Sequence, residues 1–262
     1  MKIVVCVKQV PDSAAKVVAD GGRVTWGDAP LVINPWDEYA VETALVQQEA
    51  KGGSVTVISV GGESAKEALK HALAMGCSDA ILVSDPALAK ADSQAIAQVL
   101  GASVQKINQS TPVDLVFFGR QAIDADMGVT AAQTARVLGW PALTLVSAIQ
   151  VVDPDSHTIR VERSMEEGRQ VVEAKFPATV SVIKDIGEPR YPSFMGIRKA
   201  SRAEIPTWTL ADLGIDPPVS LVEWPEVMNP PVRDVKCEII TGDSPQEIAD
   251  RLAEKILAEK VL

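Results

Sequence analysis

The run Ile3-Val4-Val5-Cys6-Val7 is apolar without alternation, and so is Leu115-Val116-Phe117-Phe118. A strand with one face in water alternates apolar and polar side chains; a run apolar on both faces belongs to a sheet covered by helices on either side. Strands are expected at Lys2 to Val7, Ser54 to Val60, Ala80 to Val83 and Leu115 to Phe118, with helical patterns between them. This βαβα order, closed by right-handed crossovers, predicts an α/β fold around a doubly wound, mostly parallel sheet.

The helices have recognisable starts. In Asn34-Pro35-Trp36-Asp37-Glu38 the Asn can cap, Pro suits the first position, and acids follow in the first turn. Ser64-Ala65-Lys66-Glu67 reads as a capping box for a helix through Met75, stopped by Gly76. A third helix is expected from Asp92 to Lys106, and a fourth from Thr130 to Leu138. Beyond Pro141, Val146 to Val152 and Thr158 to Ser164 flank the turn cluster Asp153-Pro154-Asp155-Ser156, a hairpin signature. With Arg169 to Ala174 and Ala178 to Ile183, an antiparallel extension of the sheet is expected.

After Glu188-Pro189-Arg190 the prolines at 192, 206, 217, 218, 225, 230 and 231 leave little scope for a core. A division into residues 1–188 and an arm, 189–262, follows. Ser244-Pro245-Gln246-Glu247 opens a last helix to about Ala258, turning Ile248, Leu252, Ile256 and Val261 toward something apolar. Trp208, Leu210, Leu213, Leu221 and Trp224 favour an arm docked on another surface over a disordered tail, since that much exposed apolar surface invites aggregation.

The net charge of -10 over 262 residues opposes nonspecific nucleic-acid binding, which needs a basic surface. Cys6, Cys77 and Cys237 form no CxxC and are too scattered for a disulfide framework or a zinc site. With no leader-like start and no apolar stretch long enough for a membrane span, a cytoplasmic protein is expected. Neither GxGxxG nor GxxxxGK[ST] occurs, which disfavours hydride chemistry on NAD and a Walker loop. His71 and His157 are isolated and read as surface or helix-face residues. Cys6 reads as core packing.

In an open α/β sheet, ligands bind beyond the carboxyl ends of the strands, where strand order reverses. The loops to inspect are therefore Lys8 to Asp12, Gly61-Gly62 and Gly119 to Thr130. In the last, a phosphate would suit the backbone N–H groups of Gly128, Val129 and Thr130 at a helix start. A second reading is that Asp124 and Asp126 merely cap that helix while Gly128 relieves a turn. If a phosphate does bind, the two acids must face ribose hydroxyls, adenine nitrogens or a basic side chain such as Arg120.

Val7-Lys8-Gln9-Val10-Pro11-Asp12, Asn34-Pro35-Trp36-Asp37-Glu38, Ala72-Leu73-Ala74-Met75-Gly76, Gly119-Arg120-Gln121-Ala122-Ile123-Asp124 and Glu188-Pro189-Arg190-Tyr191 occur in this order along the chain. Together they resemble the electron-transferring flavoprotein β-subunit family. The resemblance implies a heterodimer in which an α subunit carries the redox-active FAD while this chain holds AMP and docks its arm, residues 189–262, on the α subunit. It implies AMP contacts from Cys6, Lys8, Asn34, Pro35, Trp36, Asp37, Val60 and, in the long loop, Gly119, Arg120, Gln121, Asp124, Asp126, Gly128, Val129 and Thr130. Trp36 stands where the family brings an aromatic toward the partner's flavin; a hydrophobic staple for its own helix is the other reading.

The resemblance also implies a docking loop for partner dehydrogenases, of acyl-CoA or other type, over Tyr191, Phe194, Met195, Ile197, Arg198 and Lys199. There Phe194 stands where the family commonly has Leu; the alternative is that Phe194 packs inward. A quinone reductase or other acceptor would take the electrons onward. Members that bifurcate electrons place a second FAD in this subunit and commonly carry a DGDTAQVGP-like loop, mostly absent from Asp124 to Ala132. The AMP type commonly has Asn-Gln-Thr where this chain has Gly128-Val129-Thr130. The expected role is a carrier subunit, not an enzyme alone, with oxidoreductase activity only if the complex bifurcates. A stand-alone adenine-nucleotide-binding regulatory module is the reading from another class.

Overall fold

The computed structural model describes residues 1–232 and 237–259 and divides the chain into two compact units, Met1–Val227 and Met228–Leu262. In chain order the first unit contains β1 (Lys2–Cys6), β2 (Gln9–Pro11), β3 (Val18–Asp20), β4 (Arg23–Thr25), β5 (Leu31–Ile33), α1 (Pro35–Lys51), β6 (Ser54–Val60), α2 (Lys66–Met75) and β7 (Asp79–Val83). It continues with α3 (Ser93–Ser110), β8 (Leu115–Gly119), α4 (Thr130–Leu138), β9 (Ala142–Asp153), β10 (Thr158–Met165), β11 (Gly168–Lys175), β12 (Ala178–Val182), α5 (Phe194–Ala200), β13 (Thr207–Trp208) and α6 (Leu210–Leu213).

The main sheet runs β11-β10-β9-β12-β8-β1-β6-β7-β13. All neighbours from β9 to β13 are parallel, and only β10 and β11 pair antiparallel. The two-faced apolar pattern has a direct cause: Ile3, Val5 and Val7 enter one core with α1 and α2, while Val4 and Cys6 enter a second core with α3 and α4. Either set alone would leave a sheet face in water.

Several local expectations are corrected. Ala178–Val182 is not part of the antiparallel extension; it inserts between β8 and β9, parallel to both. The capping box at Ser64 does not form, because Glu63–Ala65 make a tight 3-10 turn and α2 begins at Lys66 with no side-chain cap. Asp92 does cap α3, accepting from the Ala95 N–H at 2.8 Å.

The chain after residue 188 contributes more to the first unit than its prolines suggest. Arg190 forks onto Glu42 (Nε–Oε2 2.7 Å) and Glu49 (Nη1–Oε1 2.5 Å), clamping the segment to α1. The clamp draws the Arg190 guanidinium above its ordinary pKa through its bonds to Glu49 and Glu42. Next, α5 settles on α2 so closely that a Cβ on Gly196 would overlap the Ala74 carbonyl. Thr207–Trp208 then adds a strand beside β7, bonded through Leu82 N to Pro206 O at 3.0 Å and Ser84 N to Trp208 O at 2.9 Å. Leu210 is buried, and Trp208 and Leu213 pack on the second core, so this stretch docks on its own chain.

The second unit contains α7 (Pro245–Ala258), capped by Ser244, which accepts from the Glu247 N–H at 3.2 Å. Leu252, Ile256 and Leu257 are exposed on it. Val261 lies outside the described residues. No helix among the described residues is long and apolar enough to cross a membrane.

Candidate functional site

Strand order reverses at β1, with β6 and β7 laid to one side and β8 to the other. A cleft of about 290 Å³ opens at the carboxyl ends of β1 and β8. Its floor is apolar, made by Cys6, Val60 and Phe118 with Ile96 and Leu100 of α3. Its polar side is made by Lys8, Asn34, Asp37 and the loop from Gly119 to Thr130. An apolar slab with a few convergent polar groups is the usual make-up of a small-ligand site.

Asp37 ties this side together. Its Oδ2 accepts from the Lys8 N–H at 2.7 Å, and the Gly119 N–H and Asn34 amide also bond the carboxyl. Burial nevertheless dominates and pushes Asp37 up to about 7. The neighbouring Cys6 thiol is pushed up by burial and then by Asp37, which suits a packing group and not a nucleophile. Gly119 is required: a Cβ there would overlap the Asp37 carboxylate and lie 2.6 Å from the Trp36 carbonyl carbon.

Asn34 has no side-chain cap bond to α1. Its Nδ2 donates to Gln121 O at 2.8 Å and its Oδ1 accepts from the Ile123 N–H at 3.2 Å, pinning the long loop to the start of α1. The acids of that loop do not cap α4, whose cap position is Val129 with no side-chain bond. Asp124 pairs with Lys8 (2.7 Å), not with Arg120, and Asp126 accepts from Gln121 Nε2 at 2.6 Å. Asp126 and Gly128 both have positive φ, 50° and 62°, so the backbone turns left-handed twice before α4 begins. Since no side chain caps α4, the N–H groups of its first turn are free to meet an anion.

Of the expected site residues, Cys6, Lys8, Asn34, Asp37, Val60, Gly119, Arg120, Gln121, Gly128 and Thr130 line the cleft. Pro35 lines a separate shallow hollow with Glu38 and His71. Trp36 lies outside the cleft, half-buried, with the Arg120 guanidinium 5.8 Å from its ring centroid. Asp124, Asp126 and Val129 shape the loop without lining the cleft. Unforeseen lining residues are Ile96, Leu100, Asp92, Val222 and Trp224. A cap residue such as Asp92 marks a helix start, but no local signal brings residue 222 or 224 there.

On α5 and just before it, Tyr191, Phe194, Met195 and Ile197 are exposed by 95%, 80%, 68% and 53%, beside exposed Arg198 and Lys199. Such a contiguous apolar patch rimmed by basic groups is unusual for a surface facing only water. Among the described residues no cluster of His, Cys, Asp or Glu can hold a metal ion.

Residues 27–213 match the family model described as the electron transfer flavoprotein domain. Over the full length of both chains, the protein is 35% identical to the electron transfer flavoprotein subunit beta of Megasphaera elsdenii. It is also 35% identical, again over both full lengths, to the caffeyl-CoA reductase-Etf complex subunit CarD of Acetobacterium woodii. Protein FixA of Azotobacter vinelandii is 35% identical over 99% of this chain and 95% of its own.

Proposed function

The chain belongs to the electron transfer flavoprotein β-subunit family, and from that premise we propose that it is the structural half of a heterodimeric electron carrier, holding AMP in the cleft at β1 and β8. The observation that carries the nucleotide reading is the match between cleft and ligand. Val60, Phe118, Ile96 and Leu100 offer a purine an apolar slot, and the uncapped start of α4 offers a phosphate its free N–H groups. Lys8 adds a cation near the same loop, already partly neutralised by Asp124. Side-chain contacts to phosphate from the loop would come from Thr130 alone, so backbone donors carry that end.

FAD held by an α-subunit partner supplies the redox chemistry; this chain's groups make and break no bond. Their work is to bind, to shape the interface and to present a docking patch. Tyr191, Phe194, Met195 and Ile197 form the apolar centre of that patch, and Arg198 and Lys199 steer an acidic dehydrogenase toward it. Three free cysteines suit a reducing compartment, in keeping with the cytoplasm.

One observation favours a second reading, a bifurcating complex with FAD in this cleft as well. Met127 and Trp224 line the cleft and are 48% and 68% exposed, so its mouth offers apolar surface to a ligand longer than AMP.

The carrier role is tested by co-expressing the chain with its α partner, isolating the complex and following flavin reduction by a dehydrogenase. Reduction that requires both chains supports the proposal. A chain that is monomeric in the partner's presence, with flavin reduction unaffected by leaving it out, overturns it.

A further inference from the structure

Asp92 holds two parts of the chain that lie 128 residues apart in sequence. Its Oδ1 accepts from the Ala95 N–H at 2.8 Å and closes the first turn of α3. Its Oδ2 accepts from the N–H groups of Leu221 and Val222 at 2.6 and 3.1 Å. The backbone N–H of Asp92 donates to Ser220 Oγ at 3.0 Å, and that hydroxyl donates to Lys90 O at 3.1 Å. These donors, Ala95 first, hold the carboxyl below its ordinary pKa, so at neutral pH it is an anion gripping both elements.

The segment so gripped has no helix or strand of its own. What it carries is a wall of the cleft: Val222 and Trp224 line it together with Ile96 and Leu100. Leu221, by contrast, is 69% exposed. Trp224 lines the cleft while 68% of its surface is exposed, so the ring is not packed into the protein's own core. Without the Asp92 bonds, nothing regular would keep an irregular stretch with so little burial over the mouth.

We propose that Asp92 is a positioning residue for the nucleotide site: it latches residues 220–222 across the start of α3 and thereby holds Trp224 as a stacking wall for the ligand's base. The inference rests on the reading of the cleft as a nucleotide site. It makes nucleotide retention depend on the C-terminal stretch, so that anything displacing residues 220–222 opens the cleft.

The test uses the complex purified with its flavin-carrying partner and measures the rate at which endogenous nucleotide is lost on gel filtration. Asp92→Ser keeps a cap for α3, because a serine hydroxyl accepts from the first turn, but is too short to reach Leu221 and Val222 as well. Trp224→Ala leaves the latch and removes the ring; Trp224→Phe restores a ring. Asp92→Ser and Trp224→Ala each speed nucleotide loss about tenfold, as the loss of one charge-assisted pair or one stacking face would. The double variant is no worse than either single one, and Trp224→Phe returns the rate toward that of the wild type. If the wild-type complex retains nucleotide and Asp92→Ser and Trp224→Ala lose it no faster than the wild type does, the latch is overturned and the nucleotide site stands. If the wild-type complex holds no nucleotide, the reading of the cleft fails and the latch fails with it.

Discussion

The carboxylate of Asp37 occupies the space that a side chain on Gly119 would need. Through this contact the start of α1 and the end of β8 meet without a gap, and the Lys8 N–H closes the junction from β1 at 2.7 Å. Three elements distant in sequence are thus fixed at one point beside the cleft. Gly119→Ala has no room, since its Cβ would lie 2.6 Å from the Trp36 carbonyl carbon and oxygen. Overpacking of this kind costs roughly 1–3 kcal/mol. Urea unfolding of Gly119→Ala against wild type reads it, and an unchanged midpoint would contradict the close approach.

Asp37 makes stability depend on pH in a stated direction. Burial raises its folded pKa to about 7, from an ordinary value of 3.8. Between these values the native state binds the extra proton, so stability falls as pH rises. This contribution is fully present below about pH 4, is lost as pH passes through about 7, and is constant above that. Asp37→Asn removes the proton. The difference in unfolding free energy, wild type minus Asp37→Asn, therefore declines from about pH 4 to about pH 7. A difference independent of pH would contradict the burial of this carboxyl.

The four strands β1, β6, β7 and β8 were readable because each is a short apolar run, β1 and β8 on both faces, and α3 announces itself with Asp92. Pairing over long separations was not. Nothing in Ala178–Val182 says that it returns between β8 and β9, since an apolar strand suits a central or an outer position equally. Thr207–Trp208 is two residues long and becomes a strand only because β7 leaves an edge open beside it. Asn34 looked like a helix cap, yet its side chain is used by Gln121 and Ile123 of the long loop beside it. In the candidate site the strand-end loops were legible from the sheet's topology, whereas Val222 and Trp224 reach it only through the Asp92 bonds.

Arg190 holds the stretch before α5 by paired bonds to Glu42 and Glu49. Arg190→Ala costs about 1.5–3 kcal/mol, the range for hydrogen bonds to charged groups. Arg190→Lys recovers only part of this, because an ammonium cannot present the planar fork. Limited proteolysis between residues 187 and 194 tracks the same loss. Equal resistance of wild type and Arg190→Ala would contradict the clamp.

Phe194 is 80% exposed, so removing its ring leaves the fold intact. If it anchors a dehydrogenase, Phe194→Ala slows electron transfer into the complex roughly thirtyfold at limiting concentrations, the effect of a hot-spot residue, with flavin content unchanged. Transfer at the wild-type rate would remove it from the docking patch. Gly196→Ala supplies the contrast: it forces α5 off the Ala74 carbonyl and should lower stability as well as transfer.

The central claim is that this chain's cleft holds a nucleotide distinct from the partner's flavin. The most direct measurement is to denature the purified heterodimer and quantify the released nucleotides by chromatography and mass. One FAD and one AMP per heterodimer is the predicted result; two FAD and no AMP would contradict it.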